Sequence, residues 1–364
     1  MFKNVLILFF STSILLFSCR QLKKENAGTK HRNPELDLGK LIKKVPFHSV
    51  LKDPNYFIWG ASMVKGDDGR YHLFYSRWPK AEKFKGWLDY SEIAYATADS
   101  PGGPYKHEKV IINGFGKGHW NEQSAHNPHI KKFGNKYYLY FISHVNKDFG
   151  QKNETENHRW GQRIGVAVAD NPAGPWQVSQ SPLIDYQEGK GAEGYMVNPS
   201  VCQKPDGSYL MIFKTRSNLP ELKKRMIQCM ATAPNPDGPF TIAETPILTD
   251  KEAEDPFLWF QDNHYYAILD DQRALYTNHH GLALFTSEDG EHWKIAKNPS
   301  VMKPEITWED GSVSELRYLE RPQVWLDENG KPAMLFCAAQ LKHNKDSINL
   351  PFNIHIPIET DRKQ

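Results

Sequence analysis

Five segments of this 364-residue chain repeat one pattern, and no other feature restricts its fold as much. The segments open at Trp59-Gly60-Ala61, His126-Asn127-Pro128, Val197-Asn198-Pro199, Glu254-Asp255-Pro256 and Glu320-Arg321-Pro322. Each continues through a short apolar run, turns, and returns through a run such as Tyr71-His72-Leu73-Phe74-Tyr75 or Tyr137-Tyr138-Leu139-Tyr140-Phe141. The turns carry Gly66-Asp67-Asp68-Gly69, Gly134-Asn135, Pro205-Asp206-Gly207, Asp262-Asn263 and Glu328-Asn329-Gly330. Such residues reach the positive φ angles that tight hairpins need. After each of the first four hairpins comes a second, marked by Gly103-Pro104-Tyr105, Gly174-Pro175-Trp176, Gly238-Pro239-Phe240 and Gly290-Glu291-His292-Trp293. Every unit thus holds four strands.

Four strands recurring at intervals of roughly 60–70 residues are the mark of a propeller blade with long loops. A hairpin pair cannot bury both faces alone, whereas blades stacked around an axis can. The pattern predicts an all-β fold, a five-bladed β-propeller with four-stranded antiparallel blades, over residues 46–360. Aromatic residues at 12%, with 25 Gly and 24 Pro, agree with many short strands and turns. A sandwich would not repeat five times. Phe352-Asn353-Ile354-His355-Ile356 is a strand available to complete the last blade, with ring closure left open.

The first residues read as an address rather than as fold. Lys3 precedes an apolar run from Val5 to Phe17, too short to span a bilayer. It ends in Leu16-Phe17-Ser18-Cys19, which resembles a bacterial lipobox. The expectation is a lipoprotein signal peptide over 1–19, lipidation at Cys19, a polar tether over 20–45, and export with a lipid anchor in the bacterial membrane. That anchor is the only expected membrane contact, and a net charge of +2 gives no bulk pull toward nucleic acid. Cys202, Cys229 and Cys337 lie in apolar runs without metal-ligand spacing and read as buried thiols.

Blade geometry indicates where chemistry must sit. Starts of first strands and ends of second strands share one rim, with the starts nearest the axis. The starts supply Trp59, His126, Asn127, Asn198, Glu254, Asp255, Glu320 and Arg321. The second-strand ends add Arg77, Trp78, His144, Lys214, Arg216, Asp270 and Asp271, and incoming loops bring Trp120, Glu122, Glu188, Glu193 and Glu252. Paired carboxyls with flanking aromatic faces suit glycosidic bond cleavage, where one group protonates the leaving oxygen and another activates water or attacks. His279 and His280 lie on a blade-four loop able to fold over the pocket. The basic groups on this rim, with planar guanidinium forks among them, point to an anionic glycan. No cofactor is required. His126 and His129 are placed to hold a structural ion on the axis, whose identity the sequence leaves unknown.

The repeat and its Glu254-Asp255-Pro256 start resemble glycoside hydrolase family 43 and its five-bladed relatives, the clan that includes families 32, 43, 62 and 68, with family 117 a further relative. The likeness runs in architecture over about residues 50 to 358. It implies a glycosidase of polysaccharide degradation with Glu254 as general acid. Asn198 stands where that family carries an aspartate, and Gly60 where it carries the base. The base then falls to Asp255, Asp271 or Glu320, and a histidine acid, as in the neoagarooligosaccharide hydrolases of family 117, to His279 or His280. The leading expectation is an exo-acting glycoside hydrolase on a bacterial, algal or plant polysaccharide fragment. The alternatives are a non-catalytic glycan-binding lipoprotein on the same propeller and a polysaccharide lyase.

Overall fold

The computed structural model describes residues 36–359, apart from 188–189, 218, 223–224 and 343–348. The signal peptide, Cys19, most of the tether and Glu188 lie outside the described residues.

Five antiparallel sheets match the five sequence units. The first runs Tyr56–Lys65, Tyr71–Pro79, Glu92–Ala98, Lys106–Ile112, and the second His126–Phe133, Lys136–His144, Gln162–Ala169, Gln177–Val178. The third holds Ala192–Gln203, Tyr209–Ser217, Met226–Ala233 and Thr241–Ile242; the fourth holds Glu254–Gln261, His264–Asp270, Leu282–Ser287 and Lys294–Met302. The fifth is built from Val313–Leu326, Pro332–Leu341 and Phe352–Pro357, with Glu305–Thr307 paired to its first strand. Its outermost strand comes from the other end of the propeller. Val50–Leu51 pairs with Phe352–Pro357 through Val50↔Ile354 and Leu51↔Asn353, so the ring closes by joining the two ends of the chain.

One apolar layer fills each gap between neighbouring blades. Phe74 and Tyr95 meet Leu139 and Phe141 between blades one and two, and Tyr140 and Val166 meet Met211 and Phe213 between two and three. Ile212 meets Leu258 and Leu269, Trp259 and Ile268 meet Leu319 and Leu335, and Phe336 meets Ile58 and Leu73. The aromatic-rich second strands supply these layers because both their faces are covered. The Gly-Pro turns fold the aromatic that follows back onto the blades: Tyr105 and Phe240 are buried, and Trp176 is partly buried. Cys202, Cys229 and Cys337 are buried free thiols, as expected.

The tether ends sooner than its polarity suggests. Leu38–Leu41 form a helical turn, Leu38 is fully buried in the layer between blades four and five, and Val45 bridges to Trp308. Two well-spaced apolar residues suffice to dock a charged segment.

Candidate active site

All five first strands are bulged at the same place. The register slips by one residue between Trp59 and Ala61, His126 and His129, Val197 and Ser200, Glu254 and Phe257, and Glu320 and Gln323. The extra residue takes positive φ in every blade: Gly60, Asn127, Asn198, Asp255 and Arg321. Asn and Asp tolerate this region better than most side chains, whereas Arg321 at φ 57 is an outlier of the kind that clusters at functional sites. A bulge re-aims its side chain. Here the five turn toward one another and close into a ring.

Asn127 Nδ2 donates to Asn198 Oδ1 at 2.9 Å, and Asn198 Nδ2 donates to Asp255 Oδ1. Arg321 Nη1 lies 3.8 Å from Asp255 Oδ1. Gly60 completes the circle by having no side chain: a Cβ there would stand 3.2 Å from Asn127 Oδ1 and 3.4 Å from Arg321 Nε. A first-blade Cβ would stand between the Asn127 amide and the Arg321 side chain. That guanidinium is 1% exposed and has no hydrogen-bond partner among the described residues.

The ring floors a cavity of about 1050 Å³. One wall is aromatic, with Trp59 6.5 Å from Trp78 and 5.5 Å from Phe84. The opposite wall is charged and comes from blades three and four. Lys214 Nζ donates to Glu254 Oε2 and, at 3.2 Å, to Asp255 Oδ1, so one ammonium bridges adjacent carboxylates. Arg216, Glu193, Glu252 and Arg273 continue this wall, with Arg273 paired to Glu252. His126 donates from Nε2 to Gln162 Oε1 at 3.0 Å and is pushed down to about 3 by burial, so it is a neutral ring at the pocket edge.

The carboxyls at the floor differ sharply in proton affinity. Burial works against ionisation of Asp255, but Lys214 and Arg321 beside it, with the Lys214 and Asn198 hydrogen bonds, hold its carboxyl below the usual range. Burial, then the charges of Asp255 and Glu254, push Glu320 up to about 8. Burial, then the charges of Glu320 and Asp255, raise Asp270 well above the carboxylate range. One oxygen from each of Asp255, Asp270 and Glu320 lies within 4.8 Å of the other two. At neutral pH this group holds an ionised Asp255 beside protonated partners, the separation of roles that acid–base catalysis uses. Such oxygens are also the donors that a hard cation takes, but Lys214 and Arg321 already balance the one ionised member.

A stability consequence follows. A carboxyl raised from 4.5 to about 8 in the folded state favours folding fully below its unfolded value, and this contribution is lost as pH climbs through 8. Thermal denaturation should therefore show Tm falling between pH 6 and pH 9, and Glu320→Gln should flatten that slope. An unchanged slope in the variant would remove Glu320 as its source.

Of the residues nominated from sequence, Trp59, Trp78, His126, Asn127, Asn198, Lys214, Arg216, Glu254, Asp255, Glu320 and Arg321 line the cavity. Others do not. Arg77 turns outward, bonding Glu92 at 2.8 Å and lying over Tyr56, because alternate residues of a strand face opposite ways. Trp120 donates to the Ser179 carbonyl at 3.0 Å and packs against Gly165 in the layer between blades one and two. His144 is fully buried behind the wall, beside Asp89 and His158. Asp271 accepts the backbone N–H groups of Leu275, Tyr276 and Thr277 at 2.7–2.9 Å, which makes it a loop anchor. His279 bonds Ser300 at 2.7 Å and the His280 carbonyl, so this loop lies back on blade four and neither histidine reaches the cavity. His129 donates to Gln323 at 2.7 Å and accepts from the Val201 N–H at 3.0 Å, leaving no lone pair for an ion on the axis.

Sequence reasoning missed Asp270 as a member of the acidic cluster and the walls built by two insertions. The segment between Pro79 and Glu92 supplies Phe84 and Trp87; that between His144 and Gln162 supplies Gln151, Lys152, Glu156, Arg159 and Trp160. The available signal was their length between second and third strands, combined with their tryptophans.

The model of the glycosyl hydrolases family 32 N-terminal domain matches residues 126–349, more than half of the chain. No curated protein matches it. Among solved structures, a family 117 glycoside hydrolase from the marine bacterium Zobellia galactanivorans is 17% identical with a TM-score of 0.60, covering 86% of this chain and 88% of that one. An α-L-arabinofuranosidase from Lactobacillus brevis is 14% identical at a TM-score of 0.57, over 87% and 95% of the two chains. A family 43 β-xylosidase/α-arabinofuranosidase from a compost microbial metagenome, solved with xylotriose, is 16% identical at 0.56, over 89% and 96%. At these identities the structures share the fold.

Proposed function

The chain belongs to the family of the glycosyl hydrolases family 32 N-terminal domain and is a glycosidase, and we propose that it acts from the end of a glycan chain with Glu320 as proton donor. The observation that carries this reading is the split in proton affinity at the pocket floor. Glu320 lines the cavity and keeps its proton to about pH 8, while the Asp255 carboxyl beside it is held ionised.

The partner for the reaction is Glu254, held against Lys214 on the cavity wall. One oxygen from each of Asp255, Asp270 and Glu320 lies within 4.8 Å of the others, and Lys214 and Arg321 already engage the ionised member, Asp255. The second working carboxyl is therefore drawn from outside that trio. Glu254 activates water or attacks the anomeric carbon, Glu320 protonates the leaving oxygen, and Asp255 anchors the Asn198–Lys214–Arg321 network. These roles reverse the one that family resemblance gives to Glu254. End-on action is supported by a floored cavity walled by both insertions. Incubation with a glycan panel tests it: one terminal sugar should accumulate first, and an early ladder of internal fragments would contradict it.

The ligand we favour carries a carboxylate or sulfate, because Lys152, Arg159 and Arg216 stand on the walls and the Arg321 guanidinium at the floor, 3.8 Å from Asp255, makes no hydrogen bond among the described residues. Arg216→Ala should weaken binding of a uronate-bearing or sulfated oligosaccharide about tenfold more than binding of a neutral one, the scale of one charged hydrogen bond. Arg77→Ala should change neither. Equal losses for both ligands in Arg216→Ala would count against an anionic substrate. Export and anchoring through Cys19 remain part of this proposal, supported by the lipobox-like Leu16-Phe17-Ser18-Cys19.

A further inference from the structure

We propose that Asp89, His144 and His158 bind one divalent transition-metal ion of the zinc class, clamping the two insertions that wall the pocket. The three come from separate elements: the helical turn Trp87–Tyr90, the end of the strand Lys136–His144, and the helix Glu154–Trp160. One ligand atom from each lies within 4.8 Å of the other two. Asp89 Oδ1 is 2.6 Å from His158 Nδ1 and 3.6 Å from His144 Nε2. Zinc bonds of about 2.0–2.2 Å in a tetrahedron set neighbouring ligand atoms roughly 3.3 Å apart. Shifts of less than about 1 Å would seat the ion.

Hydrogen placement makes the case sharper than proximity does. Ser124 Oγ donates its one hydrogen to the Leu88 carbonyl at 2.6 Å, so toward His144 Nδ1, 3.4 Å away, it can only accept. That puts the His144 proton on Nδ1 and the lone pair on Nε2. His158 meets oxygen at both nitrogens, Asn146 Oδ1 at 3.1 Å and Glu154 Oε1 at 3.8 Å from Nε2, and Asp89 Oδ1 at 2.6 Å from Nδ1, so an ion would take the place of the Nδ1 proton while the Nε2 partners hold the ring. With that proton displaced, two imidazole nitrogens and a carboxylate oxygen converge on one point. Oxygen partners on the far nitrogens are what orients histidine ligands in metal centres. His144 Nε2 is buried and has no hydrogen-bond partner among the described residues. The His158–Asp89 hydrogen bond leaves His144 Nε2 unanswered. A cation satisfies all three.

The Asp89 side chain is 30% exposed, which leaves an entry path and room for a solvent ligand in the fourth position. Trp87, two residues before Asp89, and Glu156, Arg159 and Trp160, on the His158 helix, all line the cavity. Loading the ion would thus fix both walls. This inference stands independently of the catalytic roles assigned above.

The full chain, stripped with EDTA and titrated with Zn2+ by calorimetry, should take up one equivalent and gain thermal stability on loading. His144→Ala and the isosteric Asp89→Asn should each abolish uptake. Glu320→Gln, which alters only the acidic cluster at the pocket floor, should leave it intact. Excess Ca2+ should not compete, since imidazole ligands do not suit it. No uptake by stripped protein that is folded by circular dichroism would overturn the proposal. So would a full equivalent retained in Asp89→Asn, or displacement of the zinc by Ca2+.

Discussion

Glu320→Gln is expected to slow hydrolysis of an unactivated glycoside by about 10²–10⁴-fold, the range for removing one general acid. Glutamine keeps the shape and the packing but carries no carboxyl proton. Burial and the neighbouring charges of Asp255 and Glu254 keep that proton on Glu320 up to about pH 8. The wild-type rate should therefore fall as pH rises through 8, when the donor ionises. Asp270 shares the cluster, so this alkaline limb belongs to the Asp270–Glu320 pair rather than to one residue. The limb should vanish in Glu320→Gln and persist in Glu254→Gln, whose defect lies in water activation or attack. An aryl glycoside with an acidic leaving group needs little protonation, so on it the Glu320→Gln loss should shrink. If Glu254→Gln removes the alkaline limb instead, the roles belong the other way round, as family resemblance implies.

The second large effect is structural. Asp271→Ala should destabilise the protein by roughly 3–5 kcal/mol, because three backbone N–H groups, that of Thr277 buried and those of Leu275 and Tyr276 partly so, lose one buried acceptor together. For a domain of this size that corresponds to a fall in Tm of about 5–10 °C. Turnover per folded molecule, measured well below the transition, should stay near wild type. A catalytic Asp271 would give the opposite result, with Tm preserved and turnover lost.

Asp270 and Asp271 show where sequence reading succeeds and where it stops. Hairpin spacing carried both to the correct rim, since strand ends are set by turns that the sequence spells out. Which of two adjacent carboxyls joins Asp255 and Glu320 depends on strand phase, and one residue reverses it. Arg77 was lost for the same reason. The floor, in contrast, was legible: Asn127, Asn198, Asp255 and Arg321 all precede proline at a blade start, and the structure places them in one ring.

Gly60 was visible as a departure, but its meaning was not. Only the structure shows that Gly60 stands against Asn127 and Arg321, and nothing in the sequence couples residues at opposite ends of the chain. Trp120 and His144 were nominated by residue type. Both instead pack behind the wall, Trp120 from the loop before blade two over Gly165, and His144 against His158 of the second insertion, along paths that no periodic pattern encodes. The same insertions hid Trp87 and Trp160. Ring closure through Val50–Leu51 escaped notice because a two-residue strand leaves no alternation to read.

Release of reducing sugar from a glycan panel, compared between wild type and the Glu254→Gln/Glu320→Gln double variant at pH 6, is the most direct test. The account predicts turnover of at least one glycan by wild type, and none above background by a double variant that still binds that glycan in the pocket. Undiminished release by the double variant would place the reaction on other groups and contradict it.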